Sequence, residues 1–165
     1  MNSNNHITVD QIKNDAEVIK KELVEWRHYL HAHPELSFKE ERTTHYIVNK
    51  LKNFGYTDIQ IGFGPLKTGV MVEIGSGRPC VMLRADIDAL PIQEQTGVEF
   101  CSQSKGVSHA CGHDAHITNL LGVAKLLKKY ENSIKGRVKL LFQPAEETRV
   151  KIYEKPLSLS LIHIS

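Results

Sequence analysis

Apolar residues recur along the first part of the chain with helical spacing. Ile12, Ala16, Ile19, Leu23, Trp26 and Leu30 fall alternately four and three residues apart, which places them in one stripe of an α-helix. That helix is expected to stop before Pro34, because proline disfavours the helical conformation in the residue preceding it. Ser37 followed by Glu40 has the form of a capping box and predicts a second helix through Ile47, Leu51 and Phe54, with Gly55 as its stop. The pattern then changes to short β-like runs at residues 57–61, 70–74 and 80–85, with Gly75-Ser76-Gly77 as a turn between the last two. The stretch 80–83 is continuously apolar, as expected for a strand covered on both faces. Residues 115–130 read as a third helix, with Ile117, Leu120, Leu121, Ala124 and Leu127 on its apolar face, and residues 136–142 read as a further strand. Alternating strands and helices predict an α/β sandwich around a mostly parallel central sheet with flanking helices.

Composition narrows the function more than the fold. A chain of 165 residues is long enough for one domain with a core that needs no disulfide staples. Its formal charge of +2 is small and its lysines are scattered, which argues against nucleic acid as a partner. No segment reads as a signal peptide or a membrane span. The three cysteines, Cys80, Cys101 and Cys111, cannot all pair with one another, so a cytoplasmic location is expected. The polar start at residues 1–6 reads as a frayed end.

Candidate chemistry concentrates in residues 108–116, where one cysteine, three histidines and an aspartate precede an apolar run. Cys111 and His113 are two apart, so they point the same way in an extended segment and diverge on a helix. The pair therefore reads as a loop feeding a helix, with Gly112 allowing a tight turn. Thiolate and imidazole favour zinc and its borderline neighbours; the bland alternative is a polar helix entrance with Asp114 as N-cap. Asp86 and Asp88 follow an apolar strand, where open α/β folds place ligands, although on these residues alone a simple Asp turn before Pro91 is the favoured reading. Glu146 and Glu147 follow another strand. Adjacent residues in an extended segment project to opposite sides, so one glutamate can ligate a metal while the other accepts and returns a proton. Cys111, His113 and one of the glutamates would leave an open position for water, as amide hydrolysis requires. A nucleophilic Cys111 with a histidine base is the competing enzyme reading, but it gives the glutamate pair no task. His28, His31 and His33 near the first helix end suit the helix dipole and the solvent interface rather than a metal.

Four stretches in order, residues 30–37 (LHAHPELS), 84–91 (RADIDALP), 109–116 (HACGHDAH) and 142–147 (FQPAEE), resemble the amidohydrolase branch of the M20 metallopeptidases. That branch includes hippurate hydrolases, N-acyl-amino-acid amidohydrolases and auxin-conjugate hydrolases. The resemblance covers roughly residues 10 to 147 and implies the amino-terminal part of a zinc-peptidase-like three-layer sandwich. It further implies two divalent metal ions (zinc, manganese, nickel or cobalt), with Cys111, His113 and Glu147 as ligands and Glu146 as general base and acid. Asp88 would orient a ligand beside the metals; Asp86 stands where other branches have a histidine ligand, and His109 and His116 receive no ligand role. The implied substrate is a small N-acyl amino acid, cleaved to a carboxylic acid and a free amino acid.

Relatives continue past the glutamate pair with two more histidine ligands and a smaller domain for dimerisation and closure. This chain therefore reads as 1–147, the amino-terminal part of a catalytic domain, followed by 148–165 as a non-native or disordered tail. Leu157, Leu159 and Leu161 alternate as in an edge strand, but no partner strand is evident, and nothing around His163 matches a ligand segment. On this reading the fragment has little or no turnover and lacks the dimerisation domain of its homodimeric relatives. A metal-binding module without chemistry and a defective product without a stable fold are the alternatives.

Overall fold

The computed structural model describes residues 7–63 and 66–148; the readings made for residues 1–6 and 149–165, including the tail and His163, fall outside them. Helices α1 (Val9–Ala32) and α2 (Glu41–Phe54) come first, followed by strands β1 (Ile59–Phe63), β2 (Leu66–Ser76) and β3 (Cys80–Asp86). Helix α3 (His113–Lys129) and strand β4 (Gly136–Gln143) complete the described chain. The α/β class is as expected. Among the described residues no helix is long and apolar enough to cross a membrane.

The sheet has the order β1-β2-β4-β3. Here the expectation of a mostly parallel sheet needs correcting: β1 with β2 and β2 with β4 pair antiparallel, and only β3 with β4 pairs parallel among the described strands. Connectivity explains the mixture. Strands β1 and β2 follow one another directly, which favours an antiparallel pair, whereas β3 reaches β4 through α3, the crossover a parallel pair requires. The turn after β2 does lead into β3, yet β4 lies between the two.

One core joins the helices to the sheet. Val70, Val72 and Ile74 of β2 stand opposite Phe142, Leu140 and Val138 of β4. They cluster with Trp26 and Leu30 of α1, Ile47 and Leu51 of α2, and Ile117 and Leu121 of α3. The described residues thus form two layers of the expected sandwich. Strand β3 is not covered on both faces as its apolar run suggested: Val81 and Leu83, two apart and so on one face of the sheet, are 52% and 38% exposed, because the core packs the described helices against the sheet's other face.

Local signals at the helix ends were partly misread. Helix α1 opens with a capping box of Thr8 and Gln11 that the apolar stripe did not reveal. For α2, by contrast, the capping box read from Ser37 and Glu40 is absent: Glu40 precedes the helix but makes no side-chain cap. Phe38 takes a left-handed φ of 67°, and Ser37 is drawn away to Asp88. The cap comes instead from Glu35, whose carboxylate accepts from the N–H groups of Arg42 at 3.1 Å and Thr43 at 2.8 Å. Two orphan donors of the first turn are satisfied this way, and a negative charge sits at the positive end of the helix dipole.

Glu40, fully buried, has a different task. Its Oε2 accepts from the Thr68 hydroxyl at 2.8 Å and its Oε1 from the Ala145 N–H at 2.8 Å. Burial pushes its carboxyl above the usual range, against the pull of those bonds. Ala145 itself sits at φ 56°, a region costly for a residue with a Cβ, so the turn carrying Glu146 and Glu147 is held by a buried acceptor on the far side of the sheet end. Replacing Glu40 with leucine leaves the hydroxyl and the N–H without acceptors; at about 1–3 kcal/mol for each stranded group, Glu40→Leu is expected to lower the unfolding free energy by about 2–6 kcal/mol in urea titrations.

Candidate metal centre

The site forms where β3, the start of α3 and the end of β4 meet. Helix α3 begins at His113, two residues earlier than the apolar pattern indicated, with Gly112 at its N-cap in the left-handed region at φ 83°. Only that dihedral calls for glycine, since a Cβ there would meet nothing within 4 Å. Cys111 thus stays on the loop, exposed, while His113 is the first helical residue and is buried. From β4, Pro144 packs against Gly69 so closely that a Cβ on Gly69 would fall 2.6 Å from the proline ring. The turn that follows brings Glu147 to the same place.

Cys111, His113 and Glu147 each offer one donor atom, and the three atoms lie within 4.8 Å of one another. His113 Nε2 is 3.7 Å from Glu147 Oε1. Sulfur, imidazole nitrogen and carboxylate oxygen form a donor set suited to zinc or a borderline divalent ion. Glu147 Oε1 is also buried with no hydrogen-bond partner, a costly state that a cation would relieve. These residues fit a metal. Glu146, the expected acid–base residue, is exposed beside them.

Asp88 orders this set. Its Oδ2 accepts from the Ser37 hydroxyl at 2.7 Å and from the Glu147 N–H at 2.9 Å, and its backbone carbonyl lies 2.9 Å from His113 Nδ1. Burial raises the Asp88 carboxyl, but hydrogen bonds with His113, Glu147 and Ser37 outweigh it and hold the group below the usual carboxylate range. The same contact acts on its partner: hydrogen bonding to Asp88 lifts His113 to about 9 against the opposing effect of burial. At Cys111 the hydrogen bond to Glu147, then burial and the charges of Glu147, Glu146 and Asp88, push the thiol up. A thiol held protonated is a poor nucleophile, which weighs against the cysteine-enzyme reading; a cation among these acids reverses that balance.

Several polar residues around the site escaped sequence reasoning. Asp114 is not an N-cap: it is fully buried, with Oδ2 2.7 Å from His31 Nδ1 and 3.3 Å from Arg27 Nε. The other nitrogen of His31 lies 3.0 Å from Glu94 Oε1. His31 therefore bridges α1, α3 and the long loop after β3, a role invisible to the helix-end argument. His28 stacks on Phe100 with centroids 3.7 Å apart. His109 is buried with both ring nitrogens unpartnered, and burial pulls it down to about 4, leaving it neutral. Acids at i and basic residues on another element carry no sequence period, so no pattern announced these pairs.

An α/β unit that gathers sulfur, imidazole and carboxylate donors at its strand ends, beside a second glutamate, has the make-up of a metal site. Residues 82–153 match the peptidase family M20/M25/M40, the family that the four ordered motifs resemble. It is 44% identical over 143 residues to an N-acyl-L-amino acid amidohydrolase of Geobacillus stearothermophilus, covering 86% of this chain and 38% of that protein. With the N-acetyl-L-cysteine deacetylase of Bacillus subtilis it shares 52% over 131 residues, 78% of this chain and 31% of the relative. A solved structure of a dinuclear metal-binding peptidase of the M20 family from Bacillus subtilis superposes with a TM-score of 0.71 at 47% identity, covering 79% of this chain and 37% of that one. The chain thus spans well under half the length of these relatives.

Two measurements follow from this geometry. Asp88→Asn keeps the side-chain volume but removes the negative charge 3.4 Å from His113 Nδ1 and on the acceptor of the Glu147 N–H, so zinc affinity measured against a competing chelator should fall about 10–100-fold with far-UV circular dichroism unchanged. Glu94 gives a pH signature: burial raises its carboxyl, but bonds from Thr96, the Ser102 N–H and His31 outweigh this and hold it at about 2 against an ordinary 4.5. A depressed carboxyl stabilises the fold above its unfolded value, and the contribution is lost as pH falls through the folded one. Between pH 4.5 and about 2 the native chain should lose stability more steeply than Glu94→Gln, as read from urea midpoints along the pH series.

Proposed function

We propose that the chain supplies ligands and the acid–base group of a metal-dependent amidohydrolase that cleaves the amide bond of N-acyl amino acids, such as N-acetyl or hippurate-like substrates. The observation that carries the reading is the convergence of Cys111, His113 and Glu147 within 4.8 Å at the place where sequence resemblance puts metal ligands. Two of the relatives above are named as an amidohydrolase and a deacetylase of N-acyl amino acids, which supports the substrate class. Two divalent ions are the cofactor that reading implies, drawn from zinc, manganese, nickel and cobalt. A reducing cytoplasm suits three free cysteines, and a homodimer is the assembly expected of the whole enzyme.

When bound, the metal supplies a water of pKa near 7 and polarises the substrate carbonyl. The chain's own residues do the rest. Glu147 turns a carboxylate oxygen inward while its neighbour Glu146 keeps an exposed carboxylate, free to take the proton of the attacking water and hand it to the departing amine. Asp88 fixes the ring of His113 through its carbonyl and the backbone of Glu147 through Oδ2, so both ligands arrive pre-oriented. Burial of His113 and Asp88 removes competing water from that side of the centre.

The test uses the purified chain with zinc, manganese, cobalt and nickel in turn. A near-ultraviolet thiolate-to-cobalt band that is lost in Cys111→Ser supports the ligand assignment. Turnover of N-acetyl amino acids and hippurate by this chain is expected to stay near background, since the resemblance places two further histidine ligands beyond the Glu146-Glu147 pair. A robust rate abolished by Glu146→Gln would show that the described residues suffice. The absence of any thiolate-to-metal band would overturn the reading.

A further inference from the structure

A second group of donors meets beside the first. Asp86, at the end of β3, and His113 and His116, on the first turn of α3, bring one ligand atom each within 4.8 Å of one another. The two histidines are three positions apart on a helix, which puts their side chains on one face, and their rings are 5.6 Å apart and tilted by 32°. Asp86 is 8% exposed. Its Oδ2 is engaged by Arg84 at 3.2 Å, but its Oδ1 is buried with no partner, an unmet acceptor at the junction of strand and helix.

We propose that Asp86, His113 and His116 form an alternative cation site, one that excludes the thiolate site because both need the same imidazole. The proposal rests on His113 being a metal ligand, as in the functional reading above, and adds a second destination for the ion. His113 Nδ1 is committed to the Asp88 carbonyl at 2.9 Å, so Nε2 is the nitrogen left for a cation. A single nitrogen serves one ion at a time in ordinary coordination. Two imidazoles and a carboxylate suit ions such as nickel, manganese or iron(II), whereas a set with thiolate leans towards zinc and its spectroscopic stand-in cobalt. The chain therefore carries two donor sets of different softness pivoting on one ring, and the ion present decides between them.

Cobalt(II) reports the difference directly, because only the thiolate set gives a near-ultraviolet charge-transfer band. In the full 165-residue chain that band is expected on titration. Cys111→Ser should abolish the band yet still retain about one cobalt per chain by equilibrium dialysis, with visible d–d absorption. Adding Asp86→Asn and His116→Gln to Cys111→Ser should then weaken the remaining binding by at least about ten-fold, the scale of losing site-defining partners. His116 is exposed, and His116→Gln alone, checked by circular dichroism, should leave the charge-transfer band of the otherwise native chain in place. The proposal is overturned if Cys111→Ser binds no cobalt, or if its binding survives Asp86→Asn and His116→Gln unchanged. Failure of the functional reading looks different, as a native chain without the charge-transfer band.

Discussion

The carboxylate of Asp88 is where three stretches of chain that are far apart in sequence come under one constraint. It accepts from Ser37 before α2 and from the backbone of Glu147 after β4, while the carbonyl of the same residue fixes the ring of His113 at the start of α3. A buried carboxylate needs such donors to stay ionised, and the donors need it to stay in place. The metal-ligand geometry is thus a by-product of satisfying one desolvated charge. Glu40 repeats the device one step away, holding the Ala145 N–H and with it the left-handed bend that turns the chain towards the centre.

Around that constraint the fold supplies rigidity. Val70, Val72 and Ile74 lock β2 to β4 under the helices, so the end of β4 cannot shift relative to the sheet. Helix α3 is clamped from the other side, where His31 lies between Asp114 and Glu94, and Arg27 adds a second contact to Asp114. One residue after a metal-ligand candidate, Asp114 therefore ties the helix start to α1. Precision at the site comes from these flanking pairs as much as from the donors themselves.

Elements were legible in the sequence where a period carried them. The α1 stripe, the α2 stop at Gly55 and the apolar face of α3 depend on short-range spacing and emerged close to their observed bounds. Motif order also pointed to Cys111, His113 and Glu147, which the fold does bring together. What failed depended on partners elsewhere in the chain. Ser37 looked like a helix cap, but a buried acceptor 51 residues away claims its hydroxyl. Val81 and Leu83 looked doubly covered, but the described helices pack on one face of the sheet, which no local pattern encodes, and leave these two exposed on the other. The links from His31 to Asp114 and Glu94 span 83 and 63 residues, beyond any periodic signal.

The reach of the Asp88 contacts also sets an order of events in biosynthesis. Its bond to Glu147 closes a separation of 59 residues, and contacts of such range form late because the entropy of closing the loop comes before any gain. On a ribosome, Cys111 and His113 leave the tunnel well ahead of their carboxylate partner. For that interval the nascent chain presents sulfur and imidazole without the acid that completes the thiolate set, and that set stays unfinished until the segment after β4 has been translated and docked.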